Sequence, residues 1–62
     1  MYTAIFVTVD TNDWTTTSDT YTINSDYELQ IRIDAWLKGN EVSKSIRYYV
    51  GVYKDNLECK LY

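Results

Sequence analysis

Apolar residues alternate with polar ones over long stretches of this chain, and that alternation predicts strands. Tyr2 to Val9, "YTAIFVTV", reads as a first strand, apolar on both faces around Ile5–Val7 as a well-covered strand is. The polar stretch "DTNDWTTTSD" follows, and its Asp and Asn residues favour turns. Thr20–Ile23, "TYTI", reads as a short second strand with Tyr21 and Ile23 on one side.

The next segment carries two patterns at once. Ser25 followed by Glu28 has the form of a capping box, and Gly39 suits a helix stop. Glu28–Arg32 and Asp34–Lys38 are spaced i,i+4 with the acid first, the favourable order on a helix. A helix puts Leu29, Ile33, Trp36 and Leu37 on one side and leaves Ile31 and Ala35 on the other. A strand wastes none of them: Tyr27, Leu29, Ile31, Ile33, Ala35 and Leu37 alternate with polar residues.

Residues outside the segment tip the reading toward a strand. "Gly39-Asn40" suits the centre of a two-residue hairpin turn. Folding there opposes Leu37 to Val42, Ile33 to Ile46, Ile31 to Tyr48, Leu29 to Val50 and Tyr27 to Val52. The other face then pairs Trp36 with Ser43, Arg32 with Arg47 and Gln30 with Tyr49. A second tight turn at Asp55-Asn56 pairs Val52 with Cys59 and Val50 with Leu61 on the same apolar face. Tyr27–Lys38, Glu41–Lys54 and Leu57–Tyr62 are therefore expected to form a three-stranded meander.

With the two N-terminal strands, the expected fold is all-β: a five-stranded, mostly antiparallel meander in a single small domain, 1–62. Its apolar face needs cover, either by curling into a small barrel or by face-to-face packing of two copies. The alternative is an α+β domain with a helix at 26–38.

Composition sharpens the need for cover. A chain of 62 residues buries only about 60% of the surface its unfolded form exposes, so its stability is marginal without help. There is one cysteine and no histidine, which excludes an internal disulfide and the usual zinc-ligand sets. Oligomerisation is the remaining aid, and a homodimer is one form of it. The lone cysteine and the absence of an export signal point to a reducing, cytoplasmic setting, and no stretch is long and apolar enough to suggest a membrane partner.

The same composition limits the chemistry. Without histidine, Ser-His-Asp and Cys-His mechanisms are excluded as usually built. Cys59 falls on the expected core face and reads as a structural thiol. "Asp10-Thr11-Asn12-Asp13" lacks the glycine and distal glutamate of a calcium loop and reads as a solvated turn. No glycine-rich phosphate loop is present. No catalytic residue, metal or cofactor is expected.

What remains is binding. The expected outward face carries Arg32, Trp36, Arg47, Tyr49, Tyr53, Lys60 and Tyr62, the residue types of an interface hot spot. Asp10, Asp13, Asp19, Asp26, Glu41 and Asp55 crowd the expected loops and make an acidic surface. The expectation is a non-enzymatic protein-binding module with a protein partner. A small acidic inhibitor of virus type, acting on a host protein or nucleoprotein complex in the host cytoplasm, is the narrower form of it; it rests on analogy of size and charge. One alternative is single-stranded nucleic-acid or nucleotide binding on the Arg/Tyr face, against which the net charge of −3 counts. The other is a structural, homo-oligomeric component.

Overall fold

In a computed structural model, which describes residues 1–54 and 58–62, the protein is a four-stranded antiparallel sheet with one helix across a single face. The elements run β1 (Tyr2–Asp10), β2 (Thr16–Ile23), α1 (Asp26–Leu37), a short turn of helix α2 (Gly39–Val42), β3 (Ile46–Lys54) and β4 (Glu58–Leu61). The strand order is β2-β1-β3-β4. The sheet is open, with β2 and β4 as its edges, so it is neither five-stranded nor closed into a barrel. The α+β alternative is consistent with this architecture.

The expected strand at Tyr27–Lys38 is a helix over Asp26–Leu37. Its local signals are used as helix signals. Ser25 is the N-cap, and its Oγ accepts a hydrogen bond from the Glu28 N–H at 3.3 Å. Arg32 Nε lies 3.4 Å from Glu28 Oε1, and Gln30 donates to Asp34 at 3.0 Å, both at i,i+4. Leu29 and Ile33 are buried against the sheet, and Trp36 and Leu37 pack beside them. Ile31 and Ala35 lie in solvent, the loss the strand reading avoided.

The long-range reason is the choice of partner for β3. Its partner is β1, not the segment just before it: Ala4 faces Val52, Phe6 faces Val50 and Thr8 faces Tyr48. With that edge taken, 26–37 adopts the conformation that satisfies its own backbone and covers the sheet. Ala4, fully buried and small, lies in the core beneath the helix. Among the described residues, the core consists of Ala4, Phe6, Ile23, Leu29, Ile33, Val50 and Val52.

Two further expectations change. Gly39-Asn40 opens α2 instead of forming a hairpin turn, so Val42 is exposed and Glu41 is helical. In the last hairpin Val52 pairs with Lys60 and Gly51 with Leu61, one residue from the expected register. A one-residue slip moves side chains to the opposite face, and Leu61 leaves the helix side for the bare one. The turn at Asp55-Asn56, with Asp55 and Leu57, lies outside the described residues, as does the side chain of Cys59.

The outer edge of β3 is completed by side chains where β4 stops. Val50 exchanges backbone hydrogen bonds with Tyr62. Two residues on, the Asn40 amide bonds both backbone groups of Tyr48. Two further on, Ser43 Oγ accepts from the Ile46 N–H at 3.1 Å. The α1–α2–β3 connection thus blocks an edge that would otherwise offer itself for strand pairing.

Candidate functional site

Among the described residues, no element covers the face of the sheet away from α1. Side chains alternate across a strand, so the partners of the buried set point there. On β1 these are Thr3, Ile5, Val7 and Val9, and on β3 they are Arg47, Tyr49, Gly51 and Tyr53. The register sets Val7 beside Tyr49, Ile5 beside Gly51, and Gly51 beside Leu61. Tyr49 is 49% exposed, Tyr53 38% and Leu61 80%. Edge strand β2 adds the hydroxyl row Thr16, Ser18, Thr20 and Thr22.

Gly51 lies at the centre of this face. Ile5, Val7, Tyr49, Tyr53, Leu61 and Tyr62 surround it, and together they line a depression of about 350 Å³. Of the charged side chains described, Arg47 alone belongs to this face by register, beside Val9. In a chain with nine acidic residues, a face without a described acid stands out.

The seven residues expected to share a face are divided. Arg47, Tyr49 and Tyr53 lie on the open face together. Arg32 is on α1, on the other side of the sheet, paired to Glu28 and stacked over the Tyr21 ring at 5.2 Å. Arg32 and Arg47 are therefore not opposed. Trp36 is wedged between helix and sheet: its indole N–H donates to Tyr49 O at 3.1 Å and to Val7 O at 3.3 Å. Its ring meets Phe6 and Tyr48 edge-on, each at 5.3 Å. Lys60 lines a depression beside α1 with Lys54, Asp26 and Leu29, and its ammonium lies 5.2 Å from the centre of the Tyr62 ring. Tyr62 borders both depressions at the sheet edge.

The described acidic side chains do not gather into one surface. Asp10 and Asp13 order the β1–β2 turn by accepting from the N–H groups of Asn12 and Thr15, each at 2.9 Å. The Thr15 bonds hold the Asp13 carboxyl below its ordinary value. Asp19 sits within β2 opposite Phe6 instead of in a loop. Asp26 opens α1 at the other end of β1 and accepts from the Tyr2 hydroxyl. Glu41 is in α2.

The sequence reading missed Ile5, Val7, Gly51 and Leu61 as members of an exposed surface. The signal was present in "AIFV": a strand apolar on both faces needs cover on both, and α1 covers one. Among the described residues, no three of His, Cys, Asp and Glu converge as metal ligands, and no helix is long and apolar enough to cross a membrane. Neither a family model nor a curated protein nor a solved structure matches this chain.

Proposed function

We propose that the protein is a non-enzymatic protein-binding module and that the open sheet face is its contact surface. One observation carries this reading: α1 covers one face of the sheet, while β1, one of its two central strands, is apolar on both. The exposed side offers Tyr49, Tyr53 and Arg47 around the apolar centre of Ile5, Val7 and Leu61. Aromatic and Arg side chains around a desolvated centre are the usual make-up of an interface hot spot. Leaving a few hundred Å² of such surface in water forfeits several kcal/mol, at about 25 cal/mol per Å². A narrower role as an inhibitor would use the same face to occupy another protein's surface.

The test is capture from nuclease-treated lysate of the source cell by the tagged full chain. Three baits are compared: wild type, the double variant Tyr49→Ala/Leu61→Lys, and Asp13→Asn. The expected result is a polypeptide held in stoichiometric amount by wild type and Asp13→Asn and lost with the double variant. That polypeptide is either another protein or the untagged chain itself. A polypeptide retained by the double variant overturns the assignment of the face. Nucleic acid retained without any polypeptide overturns the protein-binding reading.

A further inference from the structure

Gly51 has no conformational reason to be glycine. It sits in the interior of β3, with continuous pairing to Ile5 on one side and Leu61 on the other. No glycine in the described structure has a positive φ. A Cβ at Gly51 would find ordinary contact, 3.6 Å from Leu61 Cδ2. Glycine at such a position weakens a strand by about 0.5–1 kcal/mol relative to alanine. Where neither a bulge nor a bend needs it, an interior glycine marks a place where another chain or ligand comes close.

The neighbour of this notch is a protrusion. Leu61, 80% exposed, is the residue paired directly with Gly51. A twofold axis between two such neighbours sets each protrusion against the other copy's notch, the self-complementarity an isologous interface requires. Charge points the same way. The chain carries −3, so two copies repel weakly as wholes and meet with least repulsion through a face without acids. The open face presents no described acid, and Arg47 lies six residues along β3 from Tyr53, toward one end.

The area is sufficient. A nine-residue strand spans about 30 Å, and four strands at about 4.8 Å each occupy about 19 Å. The open face is thus at most about 570 Å² per copy, which over two copies just clears the roughly 1,000 Å² of a specific interface.

We infer that the occupant of the open face is a second copy of this chain. Two sheets would pack face to face across a dyad between Gly51 and Leu61, with each Leu61 seated on the partner's notch. This inference rests on the reading of the open face as the contact surface, and it names the partner.

Sedimentation equilibrium of the full chain tests it, with circular dichroism to establish that each variant is folded. The wild type is expected to sediment as a dimer of the 7.3 kDa chain at micromolar concentration. Leu61→Lys alters a side chain already in solvent, so the fold survives. Gly51→Lys fills the notch and keeps the strand. Each is expected to weaken association by about tenfold or more. Gly51→Ala, whose Cβ has room, is expected to raise monomer stability and weaken the dimer. A monomeric wild type at high micromolar concentration overturns the inference. So does a dimer untouched by Leu61→Lys and Gly51→Lys, which would be joined elsewhere, such as edge to edge through β4. A monomeric wild type that captures another protein, and loses it with Leu61→Lys, refutes the second copy and leaves the contact face standing. A monomer that captures nothing refutes both.

Discussion

The side-chain amide of Asn40 takes the place of a missing strand beside Tyr48. Its Nδ2 donates to Tyr48 O at 2.9 Å and its Oδ1 accepts from Tyr48 N at 2.8 Å. This is the pairing a neighbouring backbone would supply, at the point where β4 has ended. Replacing Asn40 by Ala leaves a part-buried N–H and C=O without partners, at a cost of about 1–3 kcal/mol. For a chain of this length that lowers Tm by about 4–8 °C per kcal/mol, readable by thermal denaturation. Asn40→Asp keeps the acceptor and loses the donor, so it is expected to fall between.

Gly39 is required by space. A Cβ there would lie 2.6 Å from Tyr48 Cζ, inside the ring's contact distance. The ring cannot easily yield, because it packs edge-on against Trp36 at 5.3 Å. Gly39→Ala is expected to destabilise by about 1–3 kcal/mol, as overpacking does. Urea denaturation of Gly39→Ala, Tyr48→Ala and the double variant checks the cause. The two losses are expected to be less than additive; full additivity would remove the clash as the explanation.

Trp14 is the one described non-glycine residue with positive φ, at 62°, and its side chain is 73% exposed. A bulky residue in that region is strained by about 1–3 kcal/mol. Glycine relieves the strain and gives back part of the gain as unfolded-state entropy. Trp14→Gly is therefore expected to stabilise the fold by about 0.5–1 kcal/mol in urea denaturation. A destabilised variant would show that the indole holds the turn by packing.

Acid should loosen the β1–β2 turn. The Asp13 carboxylate accepts from Thr15, and those bonds depress its pKa below the ordinary value of 3.8. Its contribution is complete above that value and is lost as pH falls through the lower folded value. The carboxyl is fully exposed, so the effect is small and local. NMR titration of Asp13 is expected to give a midpoint below that of an unfolded aspartate. Asp13→Asn keeps an acceptor and should lose the pH dependence of the Thr15 amide shift.

Much of the strand architecture was legible because strand periodicity is a local property. "YTAIFVTV" marked β1, which runs one residue further to Asp10. Tyr21 and Ile23 share the helix side of β2, as their spacing required, although β2 begins at Thr16 and not Thr20. On β3 the alternation separated Tyr48, Val50 and Val52 from Arg47, Tyr49 and Tyr53, and those three candidate site residues lie together. Arg32 and Trp36 lie apart from them because the hairpin at Gly39-Asn40 does not form. Lys60 lies apart because the register of the last hairpin is one residue from the expected one.

Legible in the residues alone were the sets able to line each side of β1 and β3, a capping signal at Ser25 that the strand reading left unused, and the absence of histidine chemistry. The folded chain adds that 26–37 is a helix, that Leu61 shares a face with Gly51, and that no described element covers one side of the sheet. The reason is that "YELQIRIDAWL" satisfies two periodicities at once. Which one prevails depends on whether β3 pairs with its neighbour in sequence or with β1 from the far end of the chain, and that choice is made by packing across distant residues.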